Sequence, residues 1–148
     1  MEFDRMILAW YRSNQTSRRL HYIPGVGPML ATALVASYAD PGTFRSGRNF
    51  SAWIGFVPRQ HSSGGKDRLG SISKQGDRNL RSLFVAGALA VIRCARVHGT
   101  GHRPWLTALL ARRPTKVAAI ALANKIARMA WAIMAKGERY KQPVALAA

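Results

Sequence analysis

Apolar positions along this chain recur mostly at helical spacing, which predicts a mainly α fold. Pro28 suits the first position of a helix because the N–H that proline lacks would have no partner there. Gly137 follows Lys136 as a natural C-cap. The polar stretch 14–19 is expected to break the helical pattern. The predicted helices cover residues 3–13, 29–38, 46–54, 77–98, 103–113 and 114–136.

Residues 55–76 depart from this pattern, since they contain five glycines, four serines and a proline. Such a composition disfavours a long helix and predicts one long Gly/Ser loop, with a short β-turn or strand pair around residues 69–73. Long loops inside compact domains are usually functional. The expected architecture is a compact helical domain in which this loop separates two helical halves.

The chain length of 148 residues indicates one domain. We expect residues 1–22 to form a helical lead-in, the remnant of a connector helix. Residues 23–137 are expected to form the domain itself, and residues 138–148 a loose tail. Three tryptophans fall at core spacing and are interpreted as core residues rather than as platforms for bases: Trp53, Trp105 and Trp131.

The net charge of the chain narrows the range of possible functions. Lys and Arg total 23 against 6 Asp and Glu, a net charge of +17, and eleven basic residues lie between Arg78 and Gly137 with no acidic one. A polyanion would relieve this self-repulsion, and nucleic acid is the commonest such partner. An acidic membrane surface would also attract the chain, but the uncharged stretch 83–92 is too short to span a bilayer. A single cysteine and an acidic N-terminus without a signal pattern favour the cytoplasm, with no membrane partner.

The segment Ile23-Pro24-Gly25-Val26-Gly27 is similar to the loop of helix-hairpin-helix DNA-binding modules. Gly25 and Gly27 would let the backbone approach a phosphate, and the following helix would present unpaired N–H groups to it. The alternative is an ordinary turn between two helices. The basic composition of the chain favours the binding interpretation.

The long Gly/Ser loop, residues 55–76, also carries hydroxyl groups flanked by glycines and cations. A serine attacks a phosphodiester only if it loses its proton and the charge developing on the phosphate is stabilised. Four basic residues could supply that stabilisation: Arg59, Lys66, Arg68 and Lys74. On the residues alone, the favoured interpretation remains a flexible loop whose serines make turns. The segment is not a Walker A loop, because Lys66 lacks a glycine at the required spacing and is followed by Asp67.

Metal chemistry is not predicted for this chain. Cys94, His98 and His102 recur at every fourth residue, but Gly99 and Gly101 interrupt that helix and a fourth zinc ligand is missing. We expect Cys94 to be a small buried residue and the histidines to face solvent or to be hydrogen-bonded. The six acids are too scattered to build a two-metal nuclease site: Glu2, Asp4, Asp40, Asp67, Asp77 and Glu138.

The order of the motifs resembles the C-terminal domain of the insertion-sequence-110 (116/110/902) family of transposases. The resemblance runs from about residue 23 to 137 and rests on the hairpin, the G-x-x-P-R loop, the S-G-G-K step, the I-S-K-x-G-x-x-x-L-R stretch and the alanine-rich last helix. It implies a DNA recombinase guided by a structured RNA, whose N-terminal domain binds magnesium through four acidic residues. It further implies that a serine of the C-terminal domain forms a phosphoserine link to DNA.

Carried onto this sequence, the family serine is Ser63, five residues after Pro58, with Ser62 as the adjacent alternative. The resemblance implies DNA and a guide RNA as partners, together with association between transposase subunits. The implied nucleic-acid contacts are Gly25, Gly27, Arg59, Lys66, Arg68, Lys74, Arg78 and Arg81.

The sequence departs from the family in having no acidic N-terminal domain, so we expect a truncated or split transposase, with magnesium on the missing part and no cofactor in this chain. Two alternatives remain. One is a helical module that binds nucleic acid without catalysis, and the other is a helical assembly domain for transposase subunits.

Overall fold

We describe a computed structural model of the chain. It defines the backbone of residues 1–38, 40–56, 58–63, 66–72, 76–99 and 103–141, and their side chains except those of 58–63 and 66–72. A single 3₁₀ turn, Pro41–Thr43, joins two of the helices. The elements are α1 Glu2–Ser13, α2 Gln15–His21, α3 Pro28–Ser37, α4 Gly47–Ile54, β1 Pro58–Ser63, β2 Lys66–Ile72, α5 Arg78–His98, α6 Pro104–Arg112 and α7 Thr115–Lys136.

The mainly α fold class is confirmed, and most predicted helices lie within one or two residues of their observed bounds. The expected break at 14–19 is wrong, because α2 occupies it. The Asn14 side chain accepts a hydrogen bond from the Ser17 N–H at 2.9 Å and so caps the new helix. Ser17 and Leu20 are then fully buried, which anchors α2 in the core.

The stretch predicted to be one long Gly/Ser loop contains two paired strands. β1 and β2 are antiparallel, with Ser63 opposite Lys66 at one end and Pro58 opposite Ile72 at the other. The pairing therefore extends well before the residue range 69–73 in which a strand pair was expected. Gly64 and Gly65, which connect the strands, lie outside the described residues.

The long helix α7 is the centre of the fold, with α4, α5, α2 and α6 packed against it. Its buried face consists mainly of alanines, with Leu122, Ile126 and Trp131 between them. Small side chains let neighbouring helices approach closely: a Cβ built on Gly47 of α4 would lie 3.0 Å from the carbonyl oxygen of Arg128. α7 is long and apolar enough to cross a membrane, but half of its apolar window is buried in this fold, as expected for a core helix.

The tryptophan prediction holds for one residue of three. Trp131 is buried and donates its indole N–H to the carbonyl oxygen of Pro41 at 3.1 Å. Trp53 and Trp105 are 44% and 39% exposed, so they are not core residues. Helical spacing does not show how much of a helix face the neighbouring elements cover.

The turn between α2 and α3 sits directly on α5. A Cβ built on Gly87 of α5 would lie 2.0 Å from the carbonyl oxygen of Gly25. Gly25 has φ +94°, a left-handed conformation that favours glycine, and its own Cβ would meet Ile126, Gly87 and Val91 at 3.0–3.1 Å. No side chain fits between the turn and the helix at this point.

Gly87→Ala should therefore destabilise the protein by about 1–3 kcal/mol or more, the usual cost of overpacking. Intrinsic helix propensity predicts the opposite sign, a gain of about 1 kcal/mol. Urea unfolding followed by circular dichroism measures the difference, with the exposed Ala90→Ser on the same helix as a control for surface change. A Gly87→Ala protein as stable as the wild type would contradict the close contact.

Candidate nucleic-acid interface

The turn between α2 and α3 presents a helix N-terminus on the surface. Ile23 and Val26 are buried beneath it, and the Val26 N–H donates to the Ile23 carbonyl at 3.0 Å. Gly27 is the N-cap of α3, and Pro28 begins the helix, as predicted. No side chain caps α3, and a Cβ built on Gly27 would meet nothing within 4 Å. Open space thus adjoins the uncapped N–H groups, an arrangement suited to an anion.

The two glycines of this turn have different surroundings. Gly27 borders open space, whereas Gly25 faces α5 and α7 through the close contacts described above. The structure therefore gives Gly25 a packing role, and it leaves Gly27 as the position where a phosphate could approach the backbone.

Both ends of the β1–β2 hairpin are attached at the C-terminus of α4. On one side, the Phe56 ring is buried against Phe84 of α5, with ring centroids 5.9 Å apart. On the other side, Gly76 has φ +90°, and its Cβ would lie 1.9 Å from the carbonyl oxygen of Trp53. Sequence reasoning missed these two residues. Their only signal was a glycine and a phenylalanine flanking the Gly/Ser stretch.

Arg81, predicted to contact nucleic acid, lies at this same junction. Its guanidinium donates to the Ile54 carbonyl oxygen at 3.1 Å, at the C-terminal end of α4 where a positive charge is favourable. Arg81 therefore supports the hairpin base. Arg78, in the first turn of α5, is exposed. Asp77 caps α5 by accepting from the Leu80 N–H at 3.1 Å, in agreement with the predicted helix start.

The strands bring several predicted site residues to the far end of the hairpin. Ser63 pairs with Lys66, Ser62 with Asp67 and His61 with Arg68. Arg59 lies on β1 next to an irregularity in the pairing between Pro58 and Gln60. Lys74 lies outside the described residues.

An aromatic cluster supports the hairpin base from the side of α3. The Tyr38 ring makes edge-on contacts with Phe44, Phe50 and Trp53, with centroids 5.3–6.0 Å apart. Burial raises the pKa of the Tyr38 phenol to about 12, and the charge of Asp77 adds to the shift. The folded state therefore favours the neutral phenol.

One expectation for Cys94, His98 and His102 is wrong. Cys94 is exposed rather than buried. His98 is also exposed, and His102 lies outside the described residues. Over the part of the chain that the structure describes, no group of three or more His, Cys, Asp or Glu side chains could hold a metal ion.

Few of the positive charges are neutralised within the fold. Among the described residues, the one ion pair joins the Met1 amino group to Asp4 at 3.7 Å. The basic side chains on α2, α6 and α7 thus have no carboxylate partner in the described part of the chain. A surface of this kind is suited to a polyanion.

These features define a strongly basic helical domain that presents a hairpin and an open helix N-terminus. The chain belongs to the Transposase IS116/IS110/IS902 family, whose sequence profile matches residues 17–103. That match covers the α2–α3 turn, the hairpin and all of α5.

Curated relatives agree with this assignment. The chain is 48% identical over 138 residues to a probable family 20 transposase of Pseudomonas aeruginosa, and 46% identical over 140 residues to a putative transposase of Sinorhizobium fredii. It is 40% identical over 140 residues to the transposase for insertion sequence element IS1111A of Coxiella burnetii. These alignments cover 93–95% of this chain but only 36–41% of the relatives.

The raised pKa of Tyr38 predicts a loss of stability at alkaline pH. Below about pH 10 the phenol is neutral both folded and unfolded, and the wild-type free energy of unfolding keeps the full contribution of Tyr38. Between pH 10 and the folded pKa of about 12, the unfolded chain ionises first, so that contribution is lost. Urea unfolding measures this difference. Between pH 9 and pH 11.5, the free energy of unfolding should fall less in Tyr38→Phe than in the wild type. Equal falls would contradict the shift.

Proposed function

We propose that this chain is the part of a transposase that binds DNA and supplies the nucleophile, with Ser63 forming a phosphoserine link to DNA during transposition. Membership of the transposase family supports the reaction class. The net charge of +17 supports a polyanionic substrate. The observation that carries the choice of nucleophile is the pairing of the two strands.

Strand pairing supports the choice of Ser63 over Ser62. Residues directly opposite each other in an antiparallel pair share a face, and successive residues alternate between faces. Positions 61, 63, 66 and 68 therefore share one face, which groups Ser63 with Lys66 and Arg68. Positions 62 and 67 share the other face, which groups Ser62 with the acid Asp67. A phosphate is attracted to the first face and repelled by an acid on the second.

The proposed step exchanges one phosphodiester bond for another. The Ser63 hydroxyl oxygen attacks phosphorus, the bond from phosphorus to one sugar oxygen breaks, and that oxygen takes up a proton as the serine loses one. His61, on the same face as Ser63, is an imidazole that can accept the serine proton. Lys66 and Arg68 would stabilise the charge developing on the phosphate oxygens.

DNA would be held by two parts of the domain. The open N-terminus of α3 at Gly27 would contact one phosphate through backbone N–H groups. The hairpin would hold the scissile phosphate, with Arg59 and Lys74 adding charge, and Arg78 lies near its base on α5. We propose a guide RNA and further transposase subunits as partners, and the cytoplasm as the compartment.

Magnesium does not fit the described residues, because they hold no group of possible ligands. We propose that the acidic magnesium site lies on the part of the relatives that this chain does not span. The competing function, a binding module without catalysis, would use the same basic surfaces and the open helix end.

The test is covalent trapping with matched serine variants. The chain is mixed with element-end DNA, guide RNA, magnesium and the N-terminal domain of a full-length relative, and the products are separated under denaturing conditions. Wild-type protein and Ser62→Ala should form an adduct that mass spectrometry maps to Ser63. Ser63→Ala should form none while binding DNA as well as the wild type.

An adduct that survives in Ser63→Ala and is lost in Ser62→Ala would reverse the assignment. No adduct with any version, while the intact relative forms one in parallel, would favour the binding module.

Binding itself should depend steeply on salt. Each phosphate neutralised contributes about −0.9 to the slope of log K against log salt for duplex DNA. Titrations of duplex DNA between low and physiological salt, followed by fluorescence anisotropy, should give a slope that corresponds to several phosphates. An affinity that does not change with salt would rule out a polyanion as the partner of the basic surface.

A further inference from the structure

A cleft of about 350 Å³ opens between α2 and the chain that follows α7. We call it the arginine–tyrosine cleft. α2 contributes one wall, and the chain that follows α7 contributes the other. Its lining residues are Gln15, Arg18, Arg19, Tyr22, Arg139 and Tyr140.

The cleft concentrates positive charge without internal neutralisation. Of the six described residues that line it, three are arginines and none is acidic. None of these arginines forms an ion pair with a described residue. Glu138 precedes Arg139 in the chain, but it lines a neighbouring concave region and not this cleft. Guanidinium groups converging on a concave surface can bind phosphate oxygens through two N–H groups each.

Two features indicate a prepared cleft. The Arg19 guanidinium lies against the end of α7, where a Cβ on Gly137 would be 3.9 Å from its Nη1 atom. Tyr140 is partly buried against the core, which keeps the chain after α7 on the body of the protein. Of the expected loose tail, residues 138–148, residues 142–148 lie outside the described part.

An aromatic surface accompanies the charge. Tyr22 is 73% exposed, although the turn that it begins is otherwise anchored by buried residues. Tyr140 lines both this cleft and an adjoining apolar cavity of about 260 Å³. That cavity carries the half-exposed Trp105, whose ring lies 4.2 Å from the Lys125 ammonium nitrogen, and Arg103 and Lys141 also line it. Tyr140 thus connects two cavities that are each lined by cations and aromatic rings.

We propose that this surface binds an unpaired stretch of polynucleotide, with its phosphates on Arg18 and Arg139 and a base stacked on Tyr22. Exposed rings between cations are the arrangement that holds single strands, because every unpaired base has a free face. The bases of a duplex are stacked on each other and cannot offer that face. The inference goes beyond the proposed function, uses no residue of the hairpin and shares with it only the nucleic-acid partner.

The test measures the affinity of the intact chain for a labelled single-stranded DNA, the RNA of the same sequence and the matching duplex by fluorescence anisotropy. Tyr22→Ala should weaken binding of a single strand about fivefold to a hundredfold and leave duplex binding nearly unchanged. Tyr22→Phe, which keeps the ring, should restore most of the affinity. A loss of affinity for either single-stranded DNA or single-stranded RNA supports the proposal. The polynucleotide for which Tyr22→Ala causes the larger loss is the preferred partner.

The arginines are tested against a control of equal charge. Arg18→Ala with Arg139→Ala should weaken single-strand binding more than Arg112→Ala with Arg113→Ala, which removes two exposed arginines from the end of α6. Equal losses would overturn the proposal, because net charge alone would then explain them. The proposal would also be overturned if the cleft variants lost binding to vesicles of anionic lipid but kept binding to oligonucleotides.

The Ser63→Ala protein separates the two proposals. It should bind single strands like the wild type, because no described residue that lines the cleft belongs to the hairpin. If the wild-type protein binds single strands in the cleft but forms no covalent adduct, while the intact relative forms one, the result counts against Ser63 alone. An adduct on Ser63 with no effect of Tyr22→Ala on single-strand binding would count against the cleft alone.

Discussion

The close approach of backbone to backbone is the constraint on which the rest of this structure depends. Gly25 and Gly87 leave no room for a Cβ between the α2–α3 turn and α5, and Gly47 brings α4 against the backbone of α7. The alanine-rich face of α7 continues the same principle at the centre. Dispersion contacts increase as such surfaces interlock, and a small domain with little apolar area gains from that density. The turn and the hairpin base are thereby fixed on the same rigid body.

Repulsion between the positive charges of the chain opposes this compact packing. Basic side chains surround a small core, and the described residues contain only one ion pair, which is exposed at the N-terminus. Self-repulsion of this kind lowers stability in isolation and is relieved when a polyanion binds. The dense packing therefore compensates for the charge surplus and keeps the free protein folded. Lys125 over the Trp105 ring shows one cation held by an aromatic face instead of a carboxylate.

Local signals in the sequence were enough to predict the helices with strong caps. Pro28, Asp77 and Gly137 act at the ends that their chemistry indicates. The errors arose where tertiary contacts decide. The polar residues of α2 predict a break between helices, yet Leu20 anchors α2 in the core. The Gly/Ser stretch shows no apolar alternation, so its strand pairing was placed too late. Helical spacing also could not tell that Trp53, Trp105 and Cys94 would be left exposed. The arginine–tyrosine cleft escaped notice because its two walls are more than a hundred residues apart.

The attachment of the hairpin has a consequence for how such a domain can vary. Its two ends meet at one small junction, formed by Phe56 on Phe84, Gly76 on the Trp53 carbonyl and Arg81 on the Ile54 carbonyl. Among the described contacts, the strands β1 and β2 pair with each other and the body is held at their base. Substitutions at the junction are then expected to affect folding, whereas substitutions at the far end of the hairpin leave the described core packing intact. The length and charge of the strands between them can drift to suit a new substrate without any repacking of the core.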